Sequence, residues 1–106
     1  KKQMLKFKGT TLFPNMIISI LETDARIAGG YVEATLAEDG ADWIRVYAAP
    51  YEANTVRTRD LATRLQTHLR VTPEIELITV EEFDARTMQP GKRKRITFVD
   101  KRTVSL

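Results

Sequence analysis

Cysteine is absent from the 106 residues, and histidine and tryptophan occur once each. Disulfides and thiolate nucleophiles are thereby excluded, although the compartment is not fixed by this alone. With His68 as the only histidine, a zinc site or a Ser-His-Asp triad has too few parts, and the residue is read as structural or superficial. The five glycines, Gly9, Gly29, Gly30, Gly40 and Gly91, fit neither a Walker loop nor a dinucleotide fingerprint. No apolar run approaches the roughly 20 residues of a membrane helix. Lys1-Lys2 is followed by no apolar stretch of the kind that forms a leader, so the expected location is the cytoplasm, without membrane contact. Low-complexity segments and repeats with a period of about 20–50 residues are likewise missing.

What is there suits one folded domain. Apolar residues make up 42% and charged residues 29%, too hydrophobic for a disordered chain, and the length leaves no room for a second core. The net charge of +3 is unevenly spread: residues 91–102 hold Lys92, Arg93, Lys94, Arg95, Lys101 and Arg102 against Asp100 alone, a local +5 that leaves −2 elsewhere. Charge confined to one end points to a local anion rather than to a surface that coats nucleic acid or membrane. Its plainest alternative is a solvated, basic final strand.

Hydrophobic periodicity outlines the elements. Met4 to Lys8 and Thr10 to Phe13 alternate on either side of Gly9, predicting two short strands bent at a glycine. Pro14 suits a first helical turn, and Met16, Ile17, Ile20 and Leu21 predict an amphipathic helix over 14–23. Val32, Ala34 and Leu36 alternate with Tyr31, Glu33 and Thr35, and after Asp39-Gly40 the pattern returns through Ile44, Val46 and Ala48, predicting a hairpin over 31–49. Leu61, Leu65 and Leu69 stripe a second helix over 56–70, ended by Thr72-Pro73. Glu74 to Val80 reads as a strand, residues 81–89 as an irregular polar connection in which Glu81, Glu82 and Asp84 are solvated, and Ile96 to Val99 as a last strand. The expected class is α+β: two layers, a mostly antiparallel sheet with two helices on one face, in the ferredoxin-like order β-α-β-β-α-β.

Two segments carry what chemistry remains. Near the start, Lys6-Phe7-Lys8-Gly9-Thr10-Thr11-Leu12-Phe13-Pro14 puts a glycine where the backbone must turn or admit a close approach. Near the end, Gly91-Lys92-Arg93-Lys94-Arg95 leads into Ile96-Thr97-Phe98-Val99-Asp100-Lys101-Arg102. In this order and separation the pair resembles the C-terminal domain of adenylate-forming acyl-CoA ligases of the phenylacetate-CoA ligase type. That family opens the domain with D-D-hydrophobic-x-x-[RK]-G-x-x-hydrophobic-[FY]-P, matched by Met4 through Pro14 with Lys8-Gly9 and Phe13-Pro14 in place. It closes with G-K-x-x-R and a strand ending D-x-R, matched by Gly91, Lys92, Arg95, Asp100 and Arg102. The chain departs from the pattern at Ile18, where the family has glutamate, at Gln3, where it has an acid, and at Pro90, which stands closer to the lysine than usual.

The resemblance implies a mechanism that suits these residue types. In the family a carboxylate is first joined to the α-phosphate of ATP, and coenzyme A then displaces AMP. Lys92 would be the catalytic cation of the first step, a compact ammonium on a long stem delivered by the turn at Gly91 and supported by Arg95. In the second step the domain rotates about a hinge that counting back from Gly9 puts at Lys2, and Lys8, Gly9 and Thr10 face the acyl-adenylate and the coenzyme A channel. The resemblance thus implies that residues 1–106 are a single mobile domain starting at the hinge. Its partners would be an N-terminal ligase domain of the same polypeptide, which binds most of the ATP and Mg2+, and an aromatic carboxylic acid, with no metal site of its own. Alone it is expected to be inactive.

Two other classes compete. A small basic nucleic-acid-binding module would use Lys92 to Arg95 with Tyr31, Trp43 and Tyr47 as outward stacking platforms, although no RNP-like signature is present. A regulatory α+β domain would pair edge to edge as a homodimer.

Overall fold

Two short strands, β1 (Leu5–Phe7) and β2 (Thr10–Leu12), open the computed structural model, which describes residues 4–88, 90–91 and 94–102. Leu5, Phe7 and Leu12 are buried while Lys6 and Thr11 face out. Between the strands Lys8 and Gly9 take φ of 51° and 79°, the paired left-handed positions of a two-residue hairpin turn, and Phe7 is brought opposite Thr10. The ribbon runs directly into α1 (Pro14–Glu22), with Pro14 in the first turn as expected. Its buried face is Ile17, Ile18 and Leu21. Met16, expected on that face, is 42% exposed, and Ile18 takes the inward position instead.

The long hairpin forms β3 (Ile27–Leu36) and β4 (Asp42–Pro50), paired in register from Tyr31 opposite Tyr47 through Thr35 opposite Trp43. It turns at Gly40, whose φ is 87°. β3 starts at Ile27 rather than Tyr31, because Gly29 and Gly30 continue the strand, with a shift in its pairing to β4 between Ile27 and Gly29. Their missing side chains make room on both sides. A Cβ on Gly29 would stand 2.5 Å from the Phe83 ring, and one on Gly30 would strike the Tyr47 carbonyl and lie 2.7 Å from Leu21.

Next comes α2 (Thr58–Leu69), which buries the Leu61, Leu65, Leu69 stripe and ends at Arg70 in a left-handed cap. After it β5 (Glu74–Leu77) joins β4 in parallel. The polar stretch that follows is not an irregular connection but a third helix, α3 (Val80–Thr87). Thr79 accepts a hydrogen bond from the Glu82 N–H at 3.0 Å, and the Glu82 carboxylate accepts from the Thr79 N–H at 3.0 Å, a reciprocal cap that starts the helix. Finally β6 (Phe98–Asp100) joins β3 in parallel, giving the sheet order β5-β4-β3-β6.

The α+β class holds, but the arrangement differs from the expected order. β1 pairs with β2 in a separate ribbon, because a two-residue turn commits each strand to the other, and β6 joins the main sheet instead. The sheet is mixed: its central pair is antiparallel and both edge strands are parallel to their neighbours. Two faces are covered rather than one. Val32, Ala34, Ile44, Val46 and Ala48 pack with α1, α2 and the apolar side of the ribbon, whereas Tyr31, Tyr47 and Ala49 pack with Phe83 of α3.

Candidate functional site

The two segments singled out by sequence are held at separate places. In the first, the β1–β2 turn projects Lys8 and Gly9 into solvent, and nothing lies within 4 Å of where a Gly9 Cβ would be. The Lys8 ammonium lies 5.2 Å from the centroid of the Phe7 ring and 6.0 Å from that of Trp43, and the two rings meet edge to face at 5.5 Å. The Trp43 indole N–H donates to a Glu74 carboxylate oxygen at 3.3 Å, and Arg45 donates twice to the same oxygen. Arg45, then Trp43, holds the Glu74 carboxyl below the usual range. A cation held over aromatic faces beside open backbone is a surface that a ligand with a negative charge can approach closely.

The ribbon is tied down from the far end of the chain. Arg102 grips Asp100 through Nε and Nη2, each at 2.9 Å, and its Nη1 donates to Asp42 at 3.1 Å and to the Met4 carbonyl at 3.2 Å. The same Asp42 oxygen accepts the Lys6 N–H at 2.7 Å. Arg102 hydrogen bonding holds the Asp100 carboxyl at about 2, and Asp100 and Asp42 together raise the guanidinium further. Asp42 had no role in the sequence reading, since its partners lie 36 and 60 positions away.

The second segment stands on α3. Its near foot is Met88, whose N–H donates to the Asp84 carbonyl at 3.0 Å, and its far foot is Ile96, whose N–H donates to the Thr87 carbonyl at 2.8 Å. Arg95 reinforces the far foot: Nη1 reaches Asp84 at 2.7 Å and Thr87 Oγ1 at 3.1 Å, and the guanidinium lies 4.6 Å over the Phe83 ring. Asp84 is therefore an anchor and not the freely solvated acid the sequence suggested. Gly91, with φ of 76° and open space around it, turns the chain between the feet. Beside it is a shallow depression of about 590 Å³ lined by Asp84, Ala85, Met88, Pro90 and Arg95. Lys92 itself, with Arg93, lies outside the described residues, as does the proposed hinge Lys2.

Two of the outward aromatics are not platforms. Tyr31 and Tyr47 stack on one another at 4.5 Å and are 5% and 7% exposed, closed over by α3. Arg86 of α3 donates to the Tyr31 hydroxyl at 3.1 Å, Tyr47 donates to Glu33 at 3.3 Å, and Lys101 pairs with Glu33 at 2.8 Å. Burial raises the Tyr31 hydroxyl above its ordinary value, against the pull of Arg86. The signal for the helix that covers them was the Thr79-Val80-Glu81-Glu82 cap. His68 is exposed near the end of α2. Among the described residues no three His, Asp or Glu side chains converge as a metal site requires, and no helix is long and apolar enough to cross a membrane.

No family model matches the sequence, and no curated protein matches it. Among solved structures, a domain of phenylacetate-coenzyme A ligase from Bacteroides vulgatus ATCC 8482 is similar with a TM-score of 0.70 and 20% identity, over 98% of this chain and 97% of that one. 2-Hydroxyisobutyryl-CoA ligase, solved with 2-HIB-AMP and CoA in the thioesterification state, is similar with a TM-score of 0.70 and 19% identity, over 95% of this chain but only 22% of that one. An amide bond synthetase from Marinactinospora thermotolerans follows at 0.61 and 10% identity, over 71% of this chain and 16% of that one. The likeness is one of fold: this chain folds as that ligase domain does, over almost its whole length.

Proposed function

We propose that this chain is the C-terminal domain of an ATP-dependent, AMP-forming CoA ligase for an aryl-acetic or related aromatic acid. The observation that carries this most strongly is the joint one of fold and placement. In a chain that folds as a domain of phenylacetate-coenzyme A ligase does, the Lys8-Gly9 turn and the segment turning at Gly91 are separately anchored, one on the ribbon beside Trp43 and the other on α3. A domain that serves two half-reactions by rotation needs two such surfaces.

In this reading Lys92 reaches the phosphoryl and carboxylate oxygens on which negative charge gathers during adenylate formation, swinging from a loop whose feet are fixed on the last turn of α3. Gly91 supplies the left-handed turn and Arg95 keeps the far foot in place. After rotation about Lys2, the Lys8-Gly9-Thr10 turn faces the thiol donor, and the bare Gly9 backbone lets the pantetheine arm pass close by. In this reading the N-terminal domain binds most of the ATP and its Mg2+. The depression beside Pro90 is a natural seat for that domain in the first state.

The test is Lys92→Ala in the complete polypeptide. Acyl-adenylate formation is expected to fall by about 100-fold or more, with thioester formation from supplied adenylate far less affected. Equal losses in both half-reactions would sink the assigned role. The nucleic-acid alternative loses its footing with the burial of Tyr31 and Tyr47, which leaves Trp43 alone of its three stacking residues partly open.

A further inference from the structure

We infer that Arg102 and Arg95 are positioning residues with opposite selectivity: Arg102 fixes the turn that serves thioester formation, and Arg95 fixes the loop that serves adenylate formation. The inference rests on the two-state reading above and goes beyond it, because it assigns to each half-reaction a separate arginine that touches neither substrate.

The geometry of Arg102 is that of a clamp on backbone. The guanidinium and Asp42 together hold the Met4 carbonyl and the Lys6 N–H, the outward groups of the strand that leads into Lys8 and Gly9. Asp100, gripped from the other side, belongs to β6, and the Lys101 N–H that follows donates to the Ala34 carbonyl at 2.7 Å. The ribbon is thus fastened to the sheet at its entry, two residues after the proposed hinge, so rotation at Lys2 carries the turn with the body of the domain. Without the clamp the ribbon keeps its own hairpin bonds and its buried Leu5 and Phe7, but its outer edge is released.

Arg95 acts on the other segment and on none of these groups. It cross-links the chain three residues after Lys92 to Asp84 and Thr87, beside the Ile96 N–H that closes the loop on the Thr87 carbonyl. Among the described residues the two arginines share no partner. Losing either planar fork loosens one segment and leaves the other as it was.

Arg102→Lys and Arg95→Lys keep the charge and remove the fork. In the complete polypeptide, Arg102→Lys is expected to slow thioester formation from supplied adenylate by about tenfold or more relative to adenylate formation, and Arg95→Lys to do the reverse, since a misplacement on the ångström scale costs about that much or more. In the full 106-residue chain, amide exchange should quicken at Lys6 in the first variant and at Ile96 in the second, with Val46, in the centre of the sheet between β3 and β5, unchanged in both. Should Arg102→Lys fail to fold, Asp42→Asn carries the same expectation as Arg102→Lys. Parallel losses in both half-reactions, or exchange that quickens at both amides or at neither, would overturn the inference. The underlying reading fails separately, if Lys92→Ala does not discriminate between the half-reactions.

Discussion

The ribbon and the α3 loop are each pinned by one arginine, yet the two pins differ in kind. Arg102 joins segments 60 and 98 positions apart and is 22% exposed beside an Asp42 that is 16% exposed, whereas Arg95 joins residues 8 and 11 positions apart and is 38% exposed beside an Asp84 that is 50% exposed. The first is enclosed and closes the whole chain on itself. The second is local and wet, the kind of pair that contributes little to global stability. In the proposed two-state reading, the segment that would keep its place through a rotation has the more enclosed fastening and the segment that would carry Lys92 the more exposed one.

The contrast is broken most forcefully at Phe83. Phe83→Ala removes the side chain that packs against Gly29, Tyr31 and Tyr47 and carries Arg95 on its ring, so a cost of about 3 kcal/mol is expected in urea unfolding. Amide exchange should quicken at Ile96 and stay slow at Lys6. If Lys6 loosened equally, the two regions would be one cooperative unit.

Acid is the next probe. Asp100 is held at about 2 by Arg102, and Asp24 is held at about 2 by Arg26, against an ordinary 3.8 for each. Unfolded, both titrate near the ordinary value, so their stabilisation is complete above roughly pH 4 and is lost as pH falls through about 2. Allowing for solvent around Asp100, the loss at the ribbon is on the order of 1 kcal/mol. It should register as reduced protection of the Lys6 amide, taken against its intrinsic exchange rate at each pH, and a lower melting temperature between pH 4 and pH 2, in a titration by circular dichroism and mass-detected exchange. A flat profile across that window would contradict the clamp.

Much of this was written locally in the chain. The alternation through Val32, Ala34, Ile44 and Val46 identified the hairpin, and Leu61, Leu65 and Leu69 identified α2, since each pattern repeats within one element. The third helix escaped because only Phe83 and Thr87 of its eight residues are buried, too few to establish a period, although its reciprocal Thr79–Glu82 cap stood in plain sight. The hairpin was expected to begin at Tyr31, where the alternation starts, because a glycine pair gives no hint that two helices crowd it. Sheet order was out of reach: whether β1 or β6 lies beside β3 is decided by contacts across most of the chain. The site divided in the same way. Lys8 and Gly9 were found by motif and sit in a turn that the motif alone would not have specified, while Asp42, Asp84 and Thr87 serve as anchors only because the fold carries distant arginines to them.

The smallest effect sharpens the comparison most. Gly9 and Gly91 have φ of 79° and 76° with free space around both, so alanine meets the same backbone strain at either position, about 1 kcal/mol. In the closed hairpin Gly9→Ala cannot escape it, and its melting temperature should fall. Gly91 stands in a turn outside every strand and helix, so Gly91→Ala should melt nearly as the parent does. Equal shifts would mean that the α3 loop is as rigid as the ribbon.

At Gly29 and Gly30 the sheet is a bare membrane of peptide one chain thick, with Phe83 leaning on one surface and Leu21 on the other. A side-chain layer elsewhere in the sheet would absorb a shift in either helix as a cushion does. Here the space a side chain would take is already occupied, by Phe83 of α3 at Gly29 and by Leu21 of α1 at Gly30, so each helix rests on backbone and any substitution at the pair must displace one of them.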